Sequence, residues 1–86
     1  PPLAEELLNM TGYMYLQFAQ PEKSYAFFKM GIDYYPESAN AYDSMADYYE
    51  SQNDIDNAIK SLSKAYELSG NAYYKERLEE MKAKKN

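Results

Sequence analysis

The side chains in this 86-residue chain that could do chemistry are carboxylates, hydroxyls, phenols and amines, because neither histidine nor cysteine occurs. Without histidine the commonest general base and metal ligand are missing. Without cysteine there are no disulfides, thiolate metal sites or thiol nucleophiles, and the redox compartment is not indicated. Seven serines are present. None sits in a G-x-S-x-G turn, and no base is available to activate one. Glu79-Glu80 and Asp54/Asp56 are close carboxylate pairs, but acid–base work needs an apolar enclosure to split their pKa values. These pairs read instead as solvated helix ends and caps. Asp54-x-Asp56 opens like a calcium loop, yet the further oxygen ligands and the closing glutamate are absent. The chain therefore reads as non-catalytic, with no cofactor and no metal.

Eleven tyrosines are the other conspicuous resource. Tyr15, Tyr42, Tyr49 and Tyr66 recur at positions that suit a helical core. Tyr13, Tyr25, Tyr34, Tyr48 and Tyr74 are less accounted for, and a half-exposed phenol is well suited to a protein interface. The net charge of −5 is unevenly placed: residues 1–72 carry 4 basic and 11 acidic side chains (−7), residues 73–86 carry 5 and 3 (+2). An acidic body repels phosphate backbones, so no nucleic-acid partner is expected. No apolar run approaches the ~20 residues of a membrane-spanning helix, so no membrane partner is expected either. The basic tail Lys82–Lys85 reads as a cationic helix end.

Helical periodicity runs through the whole chain, and no segment alternates apolar with polar β-branched residues. Pro1-Pro2 and Glu5-Glu6 open a first helix whose inward face is Leu8, Thr11, Gly12 and Tyr15, ending near Ala19 before Pro21. Pro21 starts a second, with Ser24, Phe28, Gly31 and Ile32 inward, and Pro36 stops it. Ser38 caps a third bearing Tyr42, Met45, Ala46 and Tyr49. After the turn Gln52-Asn53-Asp54, with Asn53 left-handed and Asp54 as cap, a fourth helix buries Ile55, Ala58, Leu62, Ala65 and Tyr66 and ends at Gly70. Asn71 caps a fifth with the narrow stripe Tyr74, Leu78 and Met81. The expected fold is all-α, a single domain over 1–86.

Shifted by 34 residues, the first half falls on the second. Leu8 pairs with Tyr42, Gly12 with Ala46, Tyr15 with Tyr49, Ser24 with Ala58, Phe28 with Leu62, Gly31 with Ala65 and Pro36 with Gly70. Size classes agree, and only the polar Thr11, opposite Met45, departs. The small residues are expected where helices approach within a hairpin (Gly12, Ser24, Ala46, Ala58) and where hairpins stack (Gly31, Ala65).

The two strings Leu8-x₂-Thr11-Gly12-x₂-Tyr15…Ser24-x₃-Phe28…Pro36 and Tyr42-x₂-Met45-Ala46-x₂-Tyr49…Ala58-x₃-Leu62…Gly70 resemble the tetratricopeptide repeat. The resemblance implies an α-solenoid of five helices: one helix–turn–helix hairpin over 3–36, a second over 38–70, and a capping helix over 71–85. The first copy departs at its turn, where Ala19-Gln20-Pro21 replaces the usual glycine-bearing turn. Glu79 and Glu80 stand where a third copy would bury residues, which fits a solvating cap. More narrowly, Asn9-Met-Thr-Gly-Tyr-Met-Tyr-Leu and Tyr35-Pro-Glu-Ser-Ala-Asn-Ala-Tyr-Asp-Ser-Met-Ala look like the C-terminal tetratricopeptide tails of some bacterial α/β-hydrolase-type esterases. The chain opens on Pro1 rather than Met and is expected to be part of a longer protein, with the catalytic domain and any targeting signal upstream.

In arrays of this family the first helix of each hairpin lines a peptide-binding groove. The implied face is Asn9, Tyr13 and Leu16, then Asn40, Asp43, Asp47 and Glu50, then Arg77 with Tyr74 and Met81 beside it. Members that clamp a C-terminal carboxylate use Lys and Asn here. Asn9, Tyr13 and acidic residues stand in their place, so the groove suits basic or neutral segments, or the rest of its own polypeptide. The expected role is a non-catalytic interaction or structural module. Its partners would be a protein or peptide, the parent enzyme domain, or further copies of itself, since two hairpins and a cap fall short of the ~3 repeats a stable array usually needs. The alternative is an independent peptide-binding adaptor using the acidic groove.

Overall fold

The computed structural model describes residues 4–85, which form five α-helices and no strand. They are α1 (Glu5–Gln17), α2 (Pro21–Tyr34), α3 (Ala39–Ser51), α4 (Ile55–Ser69) and α5 (Ala72–Ala83). The expected all-α class holds.

Local chemistry explains most of the boundaries. Glu5 and Glu6 occupy the first turn of α1, where carboxylates suit the positive end of the helix dipole. Pro21 lies in the first turn of α2, where its missing N–H is not needed. Ser38, Asp54 and Asn71 each cap the helix that follows, accepting hydrogen bonds from the N–H groups of Ala41, Asn57 and Tyr73. Gly70 ends α4 in the left-handed conformation at φ 64°, and its N–H donates to the Tyr66 carbonyl at 2.7 Å.

The first hairpin turn is the one the sequence distinguishes from the second, yet the two backbones match. α1 stops at Gln17, earlier than expected, because Ala19 turns left-handed at φ 57°; Asn53, 34 positions on, does the same at 59°. The closing bonds also repeat: the Gln20 N–H donates to the Tyr15 carbonyl at 2.9 Å and the Asp54 N–H to that of Tyr49 at 2.8 Å. The first turn is the same turn built with a less suitable residue.

Within each hairpin the small residues act at close contacts. The Ser24 hydroxyl donates to the Gly12 carbonyl at 2.8 Å, which satisfies a buried polar group and ties α2 to α1. A Cβ on Gly12 would lie 2.5 Å from the ring of Phe28, so only glycine fits there. Gly31, expected to be small for hairpin stacking, meets nothing within 4 Å of a Cβ. Gly31 is buried beside Ala41 of the next hairpin, and an alanine would fit there as well as glycine.

Consecutive helices pack on one another, and α1 also packs on α3. Leu8 and Phe28 are buried in the first hairpin and Met45 on α3, while Ala46, Ala58, Leu62, Leu78 and Met81 form one continuous core cluster, with Tyr49, Ile55 and Ile59 against it. Between the hairpins, Tyr25 of α2 meets Tyr48 and Tyr49 of α3 with ring centroids 5.3 and 6.5 Å apart. Rings at such distances and tilts add to their area burial. Two tyrosines without a core assignment in the sequence, Tyr25 and Tyr48, thus hold α2 to α3. The molecule measures 38 × 28 × 15 Å. Its least dimension is that of two helix layers, about 9 Å between axes plus a Cα radius of about 2.3 Å on either side.

Candidate functional site

The residues expected to line a binding face lie on α1, α3 and α5, and the structure sorts them into three groups. The first is a hydrogen-bonded network linking the three helices. The Tyr13 hydroxyl of α1 donates to Asp47 of α3. Arg77 of α5 reaches the same helix from the other side, donating through Nε to Asp43 Oδ1 at 2.9 Å and through Nη2 to Asp47 Oδ1 at 2.8 Å. A guanidinium offers its donors in a fixed fork, so one arginine bridges both carboxylates.

Electrostatics follow from this burial. Burial, and then donation to Asp47, push the Tyr13 phenol well above its ordinary value. Burial raises Asp43, with Arg77 working against the rise. For Arg77 burial opposes the charge, but Asp47 and Asp43 outweigh it and hold the guanidinium firmly protonated. Taken alone, Asp43 and Asp47 would make this stretch acidic. Arg77 bonds both and offsets one of the two charges.

The second group lies toward the C-terminal ends of these helices, where Glu50 pairs with Lys84 at 3.1 Å. Three of the links occur at the repeat spacing itself: Tyr13–Asp47, Asp43–Arg77 and Glu50–Lys84 are each 34 residues apart. Residues at equivalent positions of α1, α3 and α5 are therefore neighbours, so α1 runs alongside α3 and α3 alongside α5.

The third group, Asn9 and Asn40, lines an open cleft of about 470 Å³ with Glu5, Glu6 and Ser38. The Ser38 hydroxyl, besides capping α3, donates to Glu5. Asn9 is half-buried and Asn40 exposed at this cleft. Met81, expected beside Arg77, is in the core, while Tyr74 is half-buried against Tyr73.

The feature that the sequence reading missed is on the other side of α1. Leu7, Met10, Met14 and Phe18 are 49, 61, 42 and 64% exposed. Their spacing of i, i+3, i+7 and i+11 places them in one row along the helix. The positions 34 residues on are Ala41, Ser44, Tyr48 and Gln52. Ala41 and Ser44 are buried, Ala41 borders the same small cavity as Phe27, Phe28 and Gly31 of α2, and Tyr48 packs on Tyr25. On α3 this face packs against the preceding helix; on α1 it lies bare. The signal was available: α1 carries two apolar stripes, and a helix apolar around most of its circumference is normally covered.

Among the described residues no helix is long and apolar enough to cross a membrane, and no His/Cys/Asp/Glu group is arranged to hold a metal ion. No protein-family model matches the chain, and no curated protein matches it.

Proposed function

We propose that the chain is a non-catalytic protein–protein interaction module, a short tetratricopeptide-type array of two hairpins and a cap helix. The partner spacing of 34 residues across α1, α3 and α5, and the matching hairpin turns, support the array. The observation that carries the interaction role is the uncovered row Leu7, Met10, Met14 and Phe18. Exposed apolar patches of several hundred Å² mark interaction sites in folded proteins, and methionines adapt to irregular partners. The likeness of the Asn9–Leu16 and Tyr35–Ala46 strings to esterase tails supports service as the appendage of a larger bacterial hydrolase, mediating docking or self-association.

Photo-crosslinking in cells that express the protein tests this reading. A photoreactive residue at Met10 or Met14 should yield covalent protein adducts, while one at the exposed Lys60 of α4 should not. Equal yields from both faces would overturn it.

A second reading, a peptide-binding adaptor, is favoured by the cleft lined by Glu5, Glu6, Asn9 and Asn40. It requires that a lysine-rich peptide bind and that Glu6→Gln with Asn40→Ala weaken binding at least fivefold; unchanged affinity would remove it.

A further inference from the structure

The bare face of α1 fits one partner in particular, a second copy of itself. Resting on the interaction reading above, we infer that two chains associate through antiparallel α1 helices about a two-fold axis passing near the middle of the Leu7–Phe18 row.

Four observations select this occupant. The first is size. Leu7 and Met10 stand where α3 has Ala41 and Ser44, the small residues that let α3 lie close to the preceding helix. Larger side chains at those positions hold a neighbouring helix further away. Another hairpin stacked in the manner of the first on the second is therefore a poor fit, and a looser helix–helix contact is a good one.

The second is symmetry within the row. Reversed on itself, Leu7–Met10–Met14–Phe18 sets Leu7 opposite Phe18 and Met10 opposite Met14. A two-fold contact needs a patch complementary to itself in this sense.

Charge is the third. The row contains no charged residue, and α1 carries its only charges, Glu5 and Glu6, at its first turn. Side-by-side parallel helices would gather four carboxylates. Antiparallel helices send each pair toward the other copy's hairpin turn, where α2 begins and Lys23 lies.

The fourth is closure. At the other end of the molecule α5 turns Lys75, Glu76, Glu79, Glu80 and Lys82 to solvent. Apart from the exposed Tyr73, that surface is charged and offers α1 no apolar row, so the contact closes as a pair rather than growing head to tail. The four side chains expose roughly 400 Å² per copy. Two copies then bury at most about 800 Å² through the row itself, below the ~1,000 Å² that a stable specific interface clears, so the contact is of the weak, transient kind. The pair is therefore a concentration-dependent dimer, not an obligate one.

Sedimentation velocity on the 86-residue chain from 5 to 500 μM tests the proposal. A monomer–dimer equilibrium is expected, with Met10→Lys or Met14→Lys raising the dissociation constant at least tenfold at unchanged helix content. Orientation is read from cysteines, since the chain has none of its own: Leu7→Cys mixed with Phe18→Cys should form the mixed disulfide in preference to the Leu7→Cys homodimer. A monomer throughout the range, a dimer insensitive to Met10→Lys, or preferred Leu7→Cys homodimer crosslinking would each overturn the antiparallel pair. A monomer that nonetheless crosslinks other proteins from Met10 would sink the pair and leave the interaction role standing.

Discussion

The ring of Phe28 fills the space beside the Gly12 backbone so closely that a Cβ on Gly12 would lie 2.5 Å from Cε1 and 2.6 Å from Cδ1. The second hairpin has Ala46 and Leu62 at the equivalent positions, both fully buried. A larger residue on the second helix of a hairpin is matched by a smaller one on the first. The pair is a single unit of packing, exchanged as a whole between the copies.

Gly12→Ala should therefore destabilise by about 2 kcal/mol, the overpacking cost outweighing the gain in helix propensity. Adding Phe28→Leu should recover part of that loss by reproducing the second hairpin's pair. Gly31→Ala, with nothing near its Cβ, should instead stabilise by about 0.5–1 kcal/mol. Urea unfolding of the three variants measures all of this, and equal destabilisation by Gly12→Ala and Gly31→Ala would contradict it.

Ala19 pays for a conformation that Asn53 adopts more easily, both lying near φ 60°. A left-handed backbone costs a residue with a Cβ roughly 1 kcal/mol or more. Ala19→Gly and Ala19→Asn should both raise stability, glycine by about 1 kcal/mol less its greater freedom when unfolded. Ala19→Val should lower it. Thermal melts of the three variants rank them directly.

Arg77 joins Asp43 and Asp47, and its removal leaves two part-buried carboxylates uncompensated. Arg77→Ala should cost about 2 kcal/mol at neutral pH, less than a fully buried pair because all three side chains keep some solvent contact. Arg77→Lys should fall between, since an ammonium lacks the fork that reaches both acids. Burial already raises Asp43 and Arg77 opposes the rise. Without Arg77, Asp43 stays protonated to higher pH in the folded chain. The deficit should therefore be largest near pH 7 and shrink as pH falls through the carboxylate range. A deficit independent of pH would show that packing, not charge, explains the loss.

Tyr13 keeps its proton in the folded chain at a pH where the unfolded chain gives it up, because burial and then Asp47 raise the phenol. With more protons bound in the native state, stability falls as pH rises above ~10. Burial raises Tyr48, Tyr49 and Tyr74 in the same direction. Tyr13→Phe should thus flatten, not abolish, the decline of Tm between pH 10 and 12. An unchanged slope would remove Tyr13 from the account.

Much of this molecule could be read residue by residue. Ser38, Asp54, Asn71 and Gly70 mark helix ends through their own hydrogen-bonding chemistry and backbone freedom, which act over a few residues. Apolar spacing located the inward faces, and Leu8, Phe28, Met45, Ala46, Ala58, Leu62, Leu78 and Met81 are buried as that spacing requires. The expected site residues were harder to interpret. Asp43, Asp47 and Glu50 count as acidic in a linear sum, and nothing local reveals that Arg77 bonds the first two and Lys84 the third, which offsets most of that charge. Ala19 carried no turn signal because its left-handed conformation is imposed by the hairpin, not chosen by the residue.

The sequence by itself determined the five helices, the caps of α3, α4 and α5 and most of each inward stripe, though not the burial of Ala41 and Ser44, because propensity, capping and periodicity act within a turn or two of the chain. Only the tertiary structure decided which polar side chains neutralise one another and which apolar row is left over. Leu7, Met10, Met14 and Phe18 are as apolar as any core residue of α1. What leaves them bare is that α2 covers one side of that helix and α3 packs beside it, while among the described residues no further helix covers the remaining side.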